Sequence, residues 1–157
     1  MMMMNRPTRL HQLHFWGFLL LAALSFPPFL HAQKQYDNWL FGRNAGLDFS
    51  SGIPVPLYGG AMTTEEGSAS FSDPNTGQLL FYTNGLVVWN RNHEVMPNGD
   101  RLRGNRNSVQ TGLILPYPGD ASGKRYALFT TPAAASNQGD PNEALCLSVI
   151  DMNSDNG

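Results

Sequence analysis

The stretch SASFSDPNTGQLLFYTNGLVVWN, residues 68–90, decides the reading of the fold. Ala69 and Phe71 alternate with serines, which is the period of a strand with two unlike faces. Asp73, Pro74, Asn75, Thr76 and Gly77 then gather turn formers, through fixed φ, tolerance of the left-handed region and side-chain bonds to the backbone. An apolar run follows over residues 79–83. Alternation places Leu80 and Tyr82 on one face and Leu79 and Phe81 on the other. Asn84-Gly85 is a strong short-range hairpin signal, joining this run to a third strand over residues 86–90. The unit reads strand, turn, strand, connection, strand.

A second copy lies downstream. TGLILPYPGDASGKRYALFTT, residues 111–131, has the same hairpin form, and ALCLSVIDM, residues 144–152, supplies the third strand. Aligning the hairpins gives a repeat of about 40 to 45 residues, the length of one four-stranded propeller blade. NWLFG (38–42) and GLDFS (46–50) are further β-rich runs upstream, and helical periodicity is absent after Ala32. The prediction is an all-β fold, a partial β-propeller made of the first two or three blades. A β-sandwich is the alternative, because it shows similar strand spacing. The expected packing residues are Trp39, Phe41, Phe71, Phe81, Tyr82, Trp89, Leu113, Leu115, Tyr126 and Phe129. A propeller closes with about four to eight blades. Residues 33–157 hold about three at this period. They are therefore expected to be the N-terminal part of a truncated domain, one that folds poorly alone because it leaves open sheet edges.

The start of the chain has a different character. Arg6 and Arg9 precede FWGFLLLAAL, residues 15–24, and Pro27-Pro28 and Ala32 follow. A positive region, an apolar run of about ten residues and a small residue before a cut are the parts of a secretory signal peptide. Residues 1–32 are so assigned. The apolar run is shorter than the roughly 20 residues of a membrane-spanning helix, so no stable span is expected after cleavage. The whole chain has 157 residues, a formal net charge of −2 and only 14% charged residues. That composition lacks the concentrated basic face of a nucleic-acid binder.

The residues able to carry chemistry are few. His11, His14 and His31 lie in or beside the leader, which leaves His93 and Cys146. A zinc site needs three or four ligands, and His93 has no identifiable triad partner. Cys146, inside ALCLSVI, reads as a small strand side chain. Glu65 and Glu66 are adjacent, so in an extended chain they face apart and cannot form the facing acids of a glycosidase. Asp48, Asp73, Asp100 and Asp151 are widely separated. Asp48 is a candidate for a structural hydrogen bond. Asp151, Asn153 and Asp155 have the spacing of a calcium loop, but Gly157 falls one position late and no distal Glu follows, so a plain turn is expected. Arg91, Arg101, Arg103 and Arg106 read as solvated charges or local donors. No nucleotide-binding glycine motif is present. No catalytic, cofactor-binding or metal residue is assigned, and no cofactor.

The runs WLFGRNAGLDFSSG, LLFYTNGLVVWNRNHEVMPNG and LRGNRNSVQ resemble the N-terminal propeller-like region of large secreted Bacteroidetes proteins. Those carry a gliding motility-associated C-terminal domain, also called a type IX secretion type B sorting domain. The resemblance covers the chain from about residue 38 onward. It implies export through the inner membrane and, with a C-terminal sorting domain, display outside the outer membrane. That domain is not in this sequence, so periplasmic residence is the expectation without it. The resemblance brings no catalytic residues. The expected function is a noncatalytic extracellular or cell-surface interaction or adhesion module, with a protein or glycan as partner. The alternative is part of a secreted hydrolase of glycans or peptides whose catalytic residues lie partly downstream.

Overall fold

The computed structural model describes residues 34–132 and 145–154; the assigned leader lies outside them. A short 3-10 turn, Lys34–Tyr36, leads into nine strands. They form three antiparallel sheets, each of three strands in sequence order. Sheet 1 holds β1 (Asn38–Phe41), β2 (Arg43–Asp48) and β3 (Val55–Thr63). Sheet 2 holds β4 (Ala69–Ser72), β5 (Leu79–Thr83) and β6 (Val88–Asn90). Sheet 3 holds β7 (Gly112–Pro116), β8 (Arg125–Thr130) and β9 (Cys146–Asp151). The all-β expectation holds, and the strand-turn-strand-connection-strand unit occurs three times. Each sheet has three strands where a four-stranded blade was expected. In sheet 2 the chain turns back after β6 and adds only one bridge, Trp89 to Val95.

Three sequence expectations need correction. β3 was not foreseen, because VPLYGGAMT carries Pro56, Gly59 and Gly60, residues that weaken a strand signal. The glycines serve an irregularity: the register with β2 shifts between Arg43 and Ala45. There Asn44 and Gly59 adopt positive φ, and Asn44 Nδ2 donates to Gly60 O. The Asn84-Gly85 connection is longer than a two-residue hairpin. Thr83 pairs with Val88, so residues 84–87 form the loop and β6 starts at Val88. Asn84 Oδ1 accepts from the backbone N–H groups of Leu86 and Val87, both at 3.1 Å, and Gly85 supplies a φ of +85°.

The third correction concerns β5. Phe71 pairs with Phe81, and Ser72 with Leu79, so Leu80 is an extra residue opposite β4. The bulge breaks the alternation. Leu80 packs with the Phe81 cluster and Leu79 with the Tyr82 cluster, the reverse of the simple period-two assignment.

Sheet 2 is buried on both faces. On one face, Phe71, Phe81 and Val88 pack with Ile114, Tyr126, Leu128 and Ile150 of sheet 3. The Tyr126 ring lies 4.9 Å from Phe71 and 5.3 Å from Phe81, tilted and edge-on. On the other face, Tyr82 and Trp89 stack at 5.4 Å and pack with Leu40 and Met62 of sheet 1. Each buried aromatic contributes about 1.5 to 3 kcal/mol of transfer free energy. Phe71, Phe81, Tyr82, Trp89 and Tyr126 are thus in the core as expected. Trp39, Phe41, Leu113 and Leu115 are not; all four are exposed, and Phe129 is half-buried. They sit on the faces of sheets 1 and 3 that point away from sheet 2.

Candidate functional site

The first strands of the three sheets come together. β1 and β4 are both edge strands, and they are joined by side chains in place of a backbone ladder. Ser70 Oγ donates to Asn38 O at 2.6 Å, and Ser68 Oγ to Leu40 O at 2.8 Å. The buried Asn38 side chain answers from β1: its Nδ2 donates to Ser72 Oγ at 3.1 Å and to Gly77 O at 2.8 Å. Serines alternating along β4 therefore present hydroxyls at the spacing of β1 carbonyls, and the edge is blunted against further pairing.

Beside this junction lies a cleft of about 340 Å³, walled by Tyr36, Trp39 and Phe41 on the β1 side and by Leu113 on the β7 side. Tyr36 is 52% exposed and Trp39 51%, so large aromatic surfaces meet solvent in a concavity. Tyr36 is set edge-on to buried Phe71 at 6.3 Å, and Trp39 leans on Phe49 at 4.9 Å; the rings are held by packing. Among the lining residues there is no carboxylate, imidazole, thiol or amine. The cleft offers stacking surface and the spare lone pairs of Ser68 and Ser70. Apart from Tyr36, none of the described lining residues has a side chain that titrates.

No family profile, no curated protein and no solved structure matches the chain.

His93 lies away from the cleft. It adopts a φ of +66° in the turn after β6, where Asn90 Oδ1 accepts from the N–H groups of Asn92 and Glu94. That turn brings its Nδ1 to 2.9 Å from the Tyr82 hydroxyl. The same hydroxyl accepts the Ala61 N–H at 3.0 Å. The hydroxyl and His93 Nδ1 share a second hydrogen bond, and the imidazole tautomer sets which of them donates. Burial pushes the Tyr82 phenol above its ordinary value, against the lowering effect of the Ala61 bond. The histidine is a structural partner of a core tyrosine. Sequence reasoning left it without a partner because Tyr82 reads as an apolar packing residue.

The carboxylates are engaged in turns. Asp48 Oδ1 accepts the Ser50 N–H at 2.7 Å, the structural bond the sequence pointed to. Asp73 closes its turn by accepting from Asn75 N, Thr76 N and Thr76 Oγ1. These bonds, led by that from the Thr76 amide, hold its pKa below the usual range despite some burial. Asp120 Oδ2 accepts from the amides of Lys124 and Arg125, both at 2.9 Å. Its pKa is strongly depressed, the Arg125 amide being the largest cause. Asp151 Oδ1 takes the Asn153 N–H and Nδ2 in a turn; Asp155 lies outside the described residues. Among the described residues no group of three or more His, Cys, Asp and Glu is placed to hold a metal ion. Glu65 pairs with Arg43 at 3.5 Å on the surface, and Glu66 is exposed beside it. Cys146 opens β9, across from Thr130.

The arginine-rich segment after β6 has a role the sequence did not show. Its backbone straps the three sheets together. Arg103 O accepts from Thr130 Oγ1 of sheet 3 at 3.2 Å, and Arg106 O accepts from Thr64 Oγ1, just past β3, at 3.0 Å. Leu102 N donates to Leu86 O at 3.1 Å, beside sheet 2. Arg103 and Arg106 thus contribute carbonyls, while Arg101 pairs with Asp100 in solvent. Arg91, with Asn92, borders two grooves at the other end of the sheets, one of about 350 Å³ that mixes Asp73 and Lys124 with Leu80, Tyr126 and Met152. Among the described residues no helix is long and apolar enough to cross a membrane.

Proposed function

We propose that the chain is a noncatalytic binding module of an exported protein. Its three sheets are successive blades of a β-propeller, with β1, β4 and β7 as the inner strands. Two features support the blade arrangement: the meander order within every sheet, and the burial of the middle sheet on both faces. The observation that carries the function is the β1–β7 cleft. It exposes Tyr36, Trp39 and Phe41 together, and its only titrating side chain is the Tyr36 phenol. Such a surface engages a partner through aromatic stacking and apolar burial, as interface anchors do. A protein surface and a glycan both present matching apolar faces. Export follows from the leader, and display at the cell surface from the resemblance of the mature segment.

Titration of the exported chain with peptides and soluble oligosaccharides, followed by tryptophan fluorescence, tests this reading. Exposed Trp39 is expected to report binding and buried Trp89 to stay silent. Trp39→Ala with Tyr36→Ala is expected to weaken binding by about tenfold or more, the loss typical of anchor residues. Binding unchanged in that variant, or turnover of a glycan or peptide, would refute it.

A further inference from the structure

A groove of about 350 Å³ opens between sheets 2 and 3, at the end of the sheets away from the 102–106 segment. Strand ends and turns build it. Asp73 follows β4, Arg91 and Asn92 follow β6, Lys124 precedes β8 and Met152 follows β9. Both walls belong to sheets that already pack on each other through Phe71, Phe81, Tyr126 and Ile150. The floor is apolar: Leu80 and Met152 lie half-buried against that core. The volume is at the lower end of ligand pockets, roughly 300 to 1,000 Å³.

Backbone bonds fix the rim. Asn90 Oδ1 accepts from the N–H groups of Asn92 and Glu94, so Arg91 and Asn92 stand on a closed turn. Lys124 N–H donates to Asp120 Oδ2, and Lys124 O accepts from Met152 N–H, both at 2.9 Å. Asp73 Oδ1 closes its own turn, while its Oδ2 makes no hydrogen bond among the described residues. Of the other charged groups nearby, Asp120 is paired with Arg125 at 3.4 Å, and Glu94 Oε2 accepts from Asn90 Nδ2 at 3.4 Å. Arg91 and Lys124 have no ion-pair partner among the described residues. The groove thus sets two unpaired cations and one carboxylate with a free oxygen around an apolar floor, an excess of one positive charge.

An occupant that satisfies these groups carries a carboxylate for Arg91 and Lys124, an apolar side chain for Leu80 and Met152, and an N–H donor for Asp73 Oδ2. A peptide with an acidic residue beside an apolar one carries all three. Arginine holds a carboxylate through two parallel bonds, and methionine adapts to apolar side chains of differing shape. A saccharide is less well matched, because the one ring on the floor, Tyr126, is only 4% exposed and offers no open stacking face. We propose that this groove is a second binding site, which takes a short acidic-apolar peptide segment of a partner protein. It uses none of the residues of the β1–β7 cleft and stands apart from the reading given to that cleft.

Fluorescence anisotropy of a labelled hexapeptide of alternating Glu and Leu, titrated with the exported chain at about 0.1 M salt, is expected to give a dissociation constant of about 100 μM or below. Replacing its Glu by Gln, or its Leu by Ser, is expected to weaken binding at least about fivefold, the scale of a charge-assisted hydrogen bond or a buried leucine. Arg91→Ala and Lys124→Ala are each expected to do the same. Neither side chain has an ion-pair partner among the described residues, so both variants melt as the parent does. Arg101→Ala removes an exposed cation outside the groove and leaves the affinity unchanged. Failure of the peptide to bind, equal binding of its Gln form, or parent affinity after Arg91→Ala and Lys124→Ala together would overturn the proposal. Binding lost through Trp39→Ala and kept in Arg91→Ala would overturn it as well, moving the peptide to the β1–β7 cleft. A uronic-acid oligosaccharide that binds through Arg91 where the peptide does not would overturn it in favour of a glycan.

Discussion

Replacing Tyr82 by Phe removes one oxygen atom from the middle of the fold and leaves its volume almost unchanged. The ring is fully buried between Trp89 and the sheet 1 side chains, and its packing survives the change. Two hydrogen bonds are lost, one from Ala61 N–H and one shared with His93 Nδ1. Each contributes about 0.5 to 1.5 kcal/mol net. Ala61 is exposed and His93 half-buried, so water replaces part of both. The expected loss is about 1 to 2 kcal/mol, read as a lowered urea midpoint at unchanged slope. The double-mutant cycle with His93→Ala is the sharper measurement. Alanine at a φ of +66° carries a backbone cost of about 1 kcal/mol, but that cost is present in both backgrounds and cancels. The coupling between Tyr82 and His93 is expected at about 0.5 to 1.5 kcal/mol. A coupling within about 0.3 kcal/mol of zero would refute the role given to His93 and reopen its assignment.

Two further outcomes test the turns. Asp120 has a folded pKa far below its ordinary 3.8. Its contribution is therefore complete above that value, and it is lost as pH falls from about 4 toward the depressed folded value. Asp120→Asn is expected to be less stable than the parent at neutral pH and to lose less on acidification; parallel stability–pH curves would contradict this. Gly85 combines a φ of +85° with a Cβ position that overlaps Thr111 Cγ2, whereas Gly52, at a φ of +78°, faces open space. In thermal unfolding Gly85→Ala is expected to cost on the order of 2 to 3 kcal/mol and Gly52→Ala about 1 kcal/mol. Equal costs would show that Thr111 yields without penalty.

Both hairpins were legible because their signals are local. Alternating apolar residues and clusters of Pro, Gly, Asn and Asp specify strand and turn within about 20 residues. β3 was hidden because its irregular register needs the glycines that weaken a strand signal. The face assignment of Leu79 and Leu80 was hidden because a bulge is a property of the pair of strands, and neither strand records it alone. The cleft was hidden for a related reason. Trp39, Phe41, Leu113 and Leu115 have the composition of core residues, and alternation distinguishes two faces without saying which one another sheet covers.

The sequence by itself determined where most of the chain extends and turns and that two similar hairpin units follow one another. Those properties depend on backbone dihedral preferences and side-chain period, which neighbouring residues set. Only the tertiary structure decided that sheet 2 is buried on both faces, that the Tyr82 hydroxyl engages His93, and that aromatic surface remains open beside β1. Each of these depends on which sheets meet, and that is settled by contacts between residues tens of positions apart.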